Sequence, residues 1–276
     1  MINATGNRMT REIARQSRLA QDIAQTQIQV STGKRIQRTS DDVVASSRIA
    51  TLRTAQANTE AWTGNIELAR SLTTQADGTL KSASNLLGRA KELGLAGANQ
   101  TLSPTDRAAI ATELSSLADE MDALALTQSS LGEPLFAIGA ARVMRFDSDA
   151  LFAPVPTRAA LFESGSQSAA QHIRNAATAV NGGNGAAISA SLAALDGAID
   201  QTATAQAQIG INAARLDRLT ELQAARGISN KAEHSALEDT DLSTAIAKLN
   251  SQTITLEAAQ AAFARINRRT LFEILG

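Results

Sequence analysis

Residues 239–263 read DTDLSTAIAKLNSQTITLEAAQAAF. Within them Leu242, Ile246, Leu249, Thr253, Leu256, Gln260 and Phe263 recur at alternating steps of four and three. That spacing is a heptad seam, which puts one mostly apolar stripe down one side of a helix. Leu271, Phe272, Ile274 and Leu275 carry the apolar character onward. A lone helix of this kind is marginal in water, so its stability must come from burying the stripe. The opposite end of the chain offers a partner. Met9, Ile13, Gln16, Ala20, Ile23, Gln27 and Val30 repeat the same rhythm. The spacing predicts matched amphipathic helices at the two termini, with everything between as their connection. Gln16, Gln27, Thr253 and Gln260 are polar seam members, so the pair is predicted to be weak alone, disordered in the free monomer and completed by neighbouring molecules.

A chain of 276 residues is long enough for one or two domains. Only seven residues are aromatic, Trp62 and six Phe. Large aromatics dominate compact cores by area, so their scarcity predicts long, thin helical packing. A formal net charge of −1 lacks the basic excess expected of a general nucleic-acid binder. The first 53 residues hold nine Lys/Arg against four Asp/Glu, mostly between seam positions, as on a solvated helix face. The absence of cysteine excludes disulfides, thiol chemistry and cysteine-containing zinc sites. No apolar run reaches the roughly 18 residues of a membrane span. Arg8, Arg11, Arg15 and Arg18 interrupt any signal-peptide core, which predicts export, if any, without a cleaved general-secretory signal.

Taken in order, the chain predicts a first helix over residues 9–31, ended by Gly33 and Lys34-Arg35. Thr39, with Asp42 three residues on, predicts a capping box opening a second helix to about residue 95. Gly64 and Gly78 fall inside it, each at a cost of roughly 1 kcal/mol relative to Ala. Ser103-Pro104-Thr105-Asp106 is a strong helix start, and helix three runs to about residue 129. Residues 131–165 hold three of the four prolines and four of the six phenylalanines. Short apolar runs broken by Gly, Asp and Pro predict a small β-rich module at the tip of the helical body. Residues 167–180 predict a short helix. An alanine-rich helix then carries Ile188, Leu192, Leu195, Ile199, Ile209, Leu216, Leu219 and Leu222, with Gly227 and Asn230 interrupting it. Ser235 with Glu238 predicts the capping box of the closing helix.

The expected fold is therefore mainly α: an elongated antiparallel helical bundle or coiled coil of N- and C-terminal helices with a small β-rich insert in the middle. Residues 1–38 with 236–276 form its terminal coiled-coil layer. Residues 39–130 with 186–235 form a helical rod, and 131–185 a small surface-exposed module.

Catalytic chemistry has little to stand on. His172 and His234 lie far apart in sequence without neighbours at ligand spacing. Thr32-Gly33-Lys34 lacks both the first glycine and the Ser/Thr of a phosphate loop, because Ile28 and Arg35 stand there. The glycines of residues 182–185 lack dinucleotide spacing, and no G-x-S-x-G element occurs. Asp41-Asp42 could be imagined as paired carboxylates, but acids at a helix start answer to the macrodipole. No catalytic residue, cofactor or metal is expected.

Val30-Ser-Thr-Gly-Lys-Arg-Ile36, followed by Ser40-Asp-Asp42 and an alanine-containing helix, resembles the N-terminal signature of the bacterial flagellin family. Leu237-Glu-Asp-Thr-Asp-Leu242, then residues 253–263 and a final Leu271-Phe-Glu-Ile-Leu275, resembles its C-terminal signature. Gln208-Ile-Gly-Ile-Asn-Ala-Ala-Arg-Leu216 looks like the family's descending helix. The motif residues are Ser31, Thr32, Gly33, Ser40, Asp41, Asp42, Glu238, Asp239 and Asp241. The resemblance covers residues 9–130 and 186–275. It implies a structural, non-enzymatic subunit of the flagellum that assembles helically outside the cell, carried unfolded through the flagellar export apparatus. It implies as partners copies of itself, hook-associated protein 1, flagellin and an export chaperone. The assembly interface would be Met9, Ile13, Ala20, Ile23, Val30, Leu242, Ile246, Leu249, Leu256, Phe263 and Leu271.

Two kinds of family member fit. A subunit at the junction of hook and filament is favoured by Ser40-Asp-Asp42, Gly132-Glu-Pro-Leu-Phe136, Leu161-Phe162 and Asp241-Leu-Ser-Thr-Ala-Ile-Ala-Lys-Leu249. Val43, standing where the junction subunit usually has proline, and the small middle module fit a minimal filament flagellin. The seams alone also allow a soluble coiled-coil binding module.

Overall fold

The computed structural model describes the backbone of residues 2–275 and the side chains of residues 9–265. The apolar side chains expected at Leu271, Phe272, Ile274 and Leu275 lie outside the described residues. The chain is mainly α, in the order α1 (Ile2–Thr32), α2 (Val43–Gly97), α3 (Pro104–Ala125), β1 (Met144–Arg145), β2 (Leu151–Phe152), α4 (Arg158–Phe162), β3 (Glu163–Ser164), β4 (Gln167–Ser168), α5 (Ala169–Gly182), α6 (Gly185–Glu238) and α7 (Leu242–Leu275). It divides into two compact units, residues 1–57 with 227–276 and residues 58–226.

The unit of residues 58–226 is built on two heptad ladders. Along α2, Ile66, Ala69, Thr73, Ala76, Leu80, Ala83, Leu87 and Ala90 alternate steps of three and four, and all are buried. Along α6 the same rhythm runs through Ile188, Ser191, Leu195, Ala198, Thr202, Ala205, Ile209, Asn212 and Leu216, again all buried. Ion pairs Arg70–Asp217 (2.9 Å) and Lys91–Asp196 (2.5 Å) link the two helices and show them to be antiparallel. Small residues occupy every second ladder position, where large ones would hold the helices apart. The same rhythm continued past Leu216 reaches Gln223 and misses Leu222, so Leu222, expected on the apolar stripe, is exposed while Gln223 is buried.

The ladders also explain why α2 and α6 are unbroken. Nothing lies within 4 Å of a Cβ placed at Gly64 or Gly78, so those glycines cost only helix propensity. Gly227 and Asn230, expected to interrupt α6, lie inside it. So does Ser235, whose hydroxyl donates to the Asp239 carboxylate and caps nothing.

α3 and α5 pack together against this pair, and Leu114, Ala118, Met121, Ile173, Ala176 and Val180 join the core of α2 and α6. Arg174 reaches from α5 to Asp119 (2.9 Å) and Asp122 (2.5 Å) of α3. The expected capping box opens α3, with Asp106 N–H donating to Ser103 Oγ and Ser103 N–H donating to the Asp106 carboxylate. Gly183, left-handed at φ 66°, ends α5, and Asn184 Oδ1 then accepts from Ala186 N–H to start α6.

The middle module is two tight hairpins, β1–β2 and β3–β4, with α4 between them. Of the short apolar runs expected in this module, residues 135–138 do not form a strand. Phe146 is fully buried with Ile66 and Ala69 of α2 and Leu216 of α6, partway along both helices. α6 grips the module through Asn212 to Pro154 O (2.9 Å), Gln223 to Phe146 O (3.2 Å) and Arg226 Nη1 to both carboxylate oxygens of Asp147 (2.6 Å each). Burial pushes the Asp147 carboxyl up, but the hydrogen bonds from Arg226 and Ser148 and the Arg226 charge together hold the group below its usual range.

A Cβ at Gly97 would stand 2.6 Å and 2.7 Å from the two methyls of Val180, where α2 meets α5. Gly97→Ala should therefore lower unfolding stability by about 1–3 kcal/mol through overpacking, read as a fall in thermal midpoint. Gly78→Ala, facing open space, should leave it unchanged or raise it.

Candidate assembly interface

In the unit of residues 1–57 with 227–276, α1 packs against α7. Their junction is an antiparallel bridge between Lys34 and Asp239. Farther along, Thr26 Oγ1 donates to Gln252 Oε1 at 3.1 Å, which fixes the register of two segments 226 positions apart.

The seam that forms is narrower than the stripe in the sequence. On α1 the residues turned from solvent are Glu12, Gln16, Leu19, Ile23, Thr26 and Val30, with Gln29 beside them. On α7 they are Ala245, Leu249, Gln252, Thr253, Leu256, Ala259 and Phe263. Gln16, Ile23, Val30, Leu249, Thr253, Leu256 and Phe263 were expected on the seam. Other positions have slipped by one residue: Leu19 for Ala20, Thr26 for Gln27, Ala245 for Ile246 and Ala259 for Gln260. One residue is a 100° turn of the helix. Ile13, Ala20, Gln27, Ile246 and Gln260 thus form a second row beside the seam. Ile13 stays 53% exposed and Ile246 46%, and Ala20 is exposed with them, while Met9 (44%) and Leu242 (48%) continue the seam's own spacing and are left half open.

Both helices turn in the same sense. In an antiparallel pair, equal rotations bring the two outer rows to the same side, where, with Thr26 opposite Gln252, Ile13 and Ile246 fall toward opposite ends of the pair. Counting only large apolar residues hides the slip, because the inner seam uses Ala245, Ala259 and Thr26. Within the seam, Gln16 Nε2 is buried and has no hydrogen-bond partner among the described residues. An unmade buried hydrogen bond weakens such a contact.

The family-motif residues lie together at the corner where α1 ends and α7 begins. Gly33, at φ 69°, needs the left-handed conformation that glycine adopts without strain. The Ser31 and Thr32 hydroxyls donate back to Ile28 O, closing α1. Arg35 N–H donates to Glu238 O (2.7 Å) and Thr240 N–H to Gly33 O (2.8 Å), so the corner is a short piece of ladder. Ser40 is exposed in the connecting turn.

The Asp41-Asp42 pair caps. Asp41 accepts from the backbone N–H groups of Arg38 and Gln37, which hold its carboxyl below the usual range. Asp42 accepts from Ala45 N–H at 2.9 Å, and that bond depresses its carboxyl in turn. Asp42, not the expected Thr39, is thus the N-cap of α2. Likewise Asp241, not Ser235, opens α7. Its carboxylate accepts from the Ser243 and Thr244 hydroxyls, both at 2.8 Å, and from their backbone N–H groups. Glu238 is buried beneath the corner with Lys34, Arg53 and His234 around it. Arg53 had no signal in the sequence, because ionic neighbours 185 positions apart carry no local pattern; His234, four residues before Glu238 on the same helix, could have been read from its i,i+4 spacing.

Among the described residues no group of three or more His, Asp or Glu is placed to hold a metal ion, and no helix is long and apolar enough to cross a membrane.

The hydrogen bonds from the Ser243 and Thr244 hydroxyls bring the Asp241 carboxyl from 3.8 down to about 2. A depressed folded-state value means that the cap's contribution is present above the unfolded value and lost as pH falls through the folded one. NMR titration should show Asp241 with a midpoint near 2. The Ser243 and Thr244 amides should lose protection only below the ordinary carboxylate range.

Residues 3–139 match the bacterial flagellin N-terminal helical region, and residues 192–275 match the bacterial flagellin C-terminal helical region. Among curated relatives, flagellar hook-associated protein 3 of Salmonella typhimurium is 26% identical, over 89% of this chain and 90% of its own length. The Escherichia coli protein of the same name is 27% identical with the same coverage. Polar flagellin E of Vibrio parahaemolyticus is 31% identical over 44% of this chain and 32% of its own. Two solved structures share the fold. One, described as a flagellar hook-associated protein from Vibrio parahaemolyticus, aligns with a TM-score of 0.65 at 20% identity, over 72% of this chain and all of its own. FlgL of Xanthomonas campestris aligns at 0.60 and 15% identity, over 67% of this chain and 99% of its own. With both terminal helical regions matched in order at the two ends of one chain, the protein belongs to the bacterial flagellin family.

Proposed function

We propose that this chain is a structural subunit of the bacterial flagellum, the hook–filament junction protein that connects the hook side to the filament. The observation that carries an assembly role is the large apolar surface left open on the α1–α7 pair. Met9, Ile13, Leu242 and Ile246 are about half exposed. The junction position rests on near full-length similarity to two hook-associated proteins 3, against partial similarity to a filament flagellin. Its partners are copies of itself, hook-associated protein 1 on one side and flagellin on the other, with an export chaperone before assembly. It acts outside the cell, has no enzymatic activity, and passes unfolded through the flagellar export apparatus. A chain without cysteine has no disulfide to obstruct that passage.

The driving force is burial. Covering a large apolar side chain completely is worth roughly 1.5–3 kcal/mol, so finishing a half-covered one gives about half of that. Backbone that must be ordered on docking offsets the gain at about 1–2 kcal/mol per residue. The balance makes assembly depend on a template or on high local concentration. Contacts that run head to tail between different patches then build a helical rather than a closed structure.

Filament flagellin of minimal size is the second reading, favoured by the higher local identity to polar flagellin E.

Ile13→Asp and Ile246→Asp sit on the outer row, off the inner seam. Each should leave helix content and thermal midpoint unchanged and lower incorporation into flagella at least about tenfold, the effect of 1.4 kcal/mol. Normal incorporation of both would overturn the outer row as part of the assembly surface.

A further inference from the structure

The corner of the unit of residues 1–57 with 227–276 holds an ionic cluster that helix capping and apolar packing do not explain. The Glu238 side chain is only 10% exposed. Its Oε1 accepts from Lys34 Nζ and from Arg53 Nη2, each at 3.1 Å. His234 Nδ1 lies 3.5 Å from Oε2. One carboxylate is thus shared by the turn after α1, by α2 and by α6. Its own backbone carbonyl accepts from Arg35 N–H, and Arg35 Nη2 donates to Leu237 O at 2.9 Å. Lys34 and Arg53 are half exposed or more, while the group they share is not. The cations can therefore reach water, and the anion relies on them.

We propose that Glu238 is the positioning residue of the assembly interface, an electrostatic latch that closes the corner and so sets how α1 and α7 leave it as a pair. The apolar cluster beneath it is small, consisting of Ile36, Ala45 and Ile49 with Leu237 packed against them. So little apolar surface does not by itself define the direction of two helices of 31 and 34 residues. A latch at their base does, because a small rotation there is multiplied along their length. The inference rests on the assembly reading only in this last step; the closing of the corner by Glu238 stands without it.

A buried carboxylate held by cations has an unusual mutational signature. Removing its partners leaves an uncompensated buried charge, and neutralising that charge then relieves the damage. The test uses the full chain and measures hydrogen exchange at two amides that cross the corner, Arg35 N–H and Thr240 N–H. Glu238→Gln should raise their exchange at least about tenfold. Lys34→Met with Arg53→Met should raise it further. Adding Glu238→Gln to that double variant should restore protection toward the level of Glu238→Gln alone. Arg48→Gln removes an ion pair to Glu233 in the same unit and should leave both amides protected. Incorporation into flagella is scored in parallel and should fall with corner protection. Unchanged exchange in Glu238→Gln, or a triple variant worse than the double, overturns the latch whatever happens to assembly. Lost protection with normal incorporation overturns the link between the latch and the interface.

Discussion

One contact decides the character of the unit built from the chain's two ends: α1 lying antiparallel along α7. It joins segments more than 200 positions apart, so closing it carries a large loop entropy. What returns that free energy is a thin seam of half-buried Leu19, Ile23, Val30, Leu249, Leu256 and Phe263, interrupted by Gln16, Thr26 and Gln252. Such a seam is adequate to pair two helices and poor at sealing them from further contact. The large apolar side chains left half open, Met9, Ile13, Leu242 and Ile246, give the pair a reason to associate again.

The unit of residues 58–226 solves a different problem with the same rhythm. Its ladders on α2 and α6 alternate larger residues with alanine at most positions, and the core extends into α3, α5 and the hairpin around Phe146. Here the core side chains are fully covered, and Asn212, Gln223 and Arg226 donate to carbonyl and carboxylate oxygens at the edge. The contrast between a finished core and a half-covered helix pair is what a subunit needs if it is to stay intact while exchanging solvent for neighbours at its ends.

Much of this was legible in the amino-acid order. The heptad rhythm announced both terminal helices and their pairing, and Ser103-Pro104-Thr105-Asp106 announced the start of α3. Glycines at 64 and 78 gave a false expectation of weakness, because local propensity is overridden by a ladder of buried side chains. The phase of the terminal seam was misread for a related reason. Large apolar residues mark a stripe, but the contact itself forms where alanine and threonine let the helices approach. Caps were misassigned at Thr39 and Ser235 because Asp42 and Asp241, nearby carboxylates with better reach, took the role. The corner around Glu238 was visible only as a family motif; its ionic partners are brought in by the fold.

The most direct test of the junction role is deletion of the gene, followed by electron microscopy of the cells and assay of flagellin in the medium. A junction subunit predicts cells with hooks but no filaments, shedding unassembled flagellin. Intact flagella on the deletion strain would contradict the account, as would a shortened filament of which this chain is the main component.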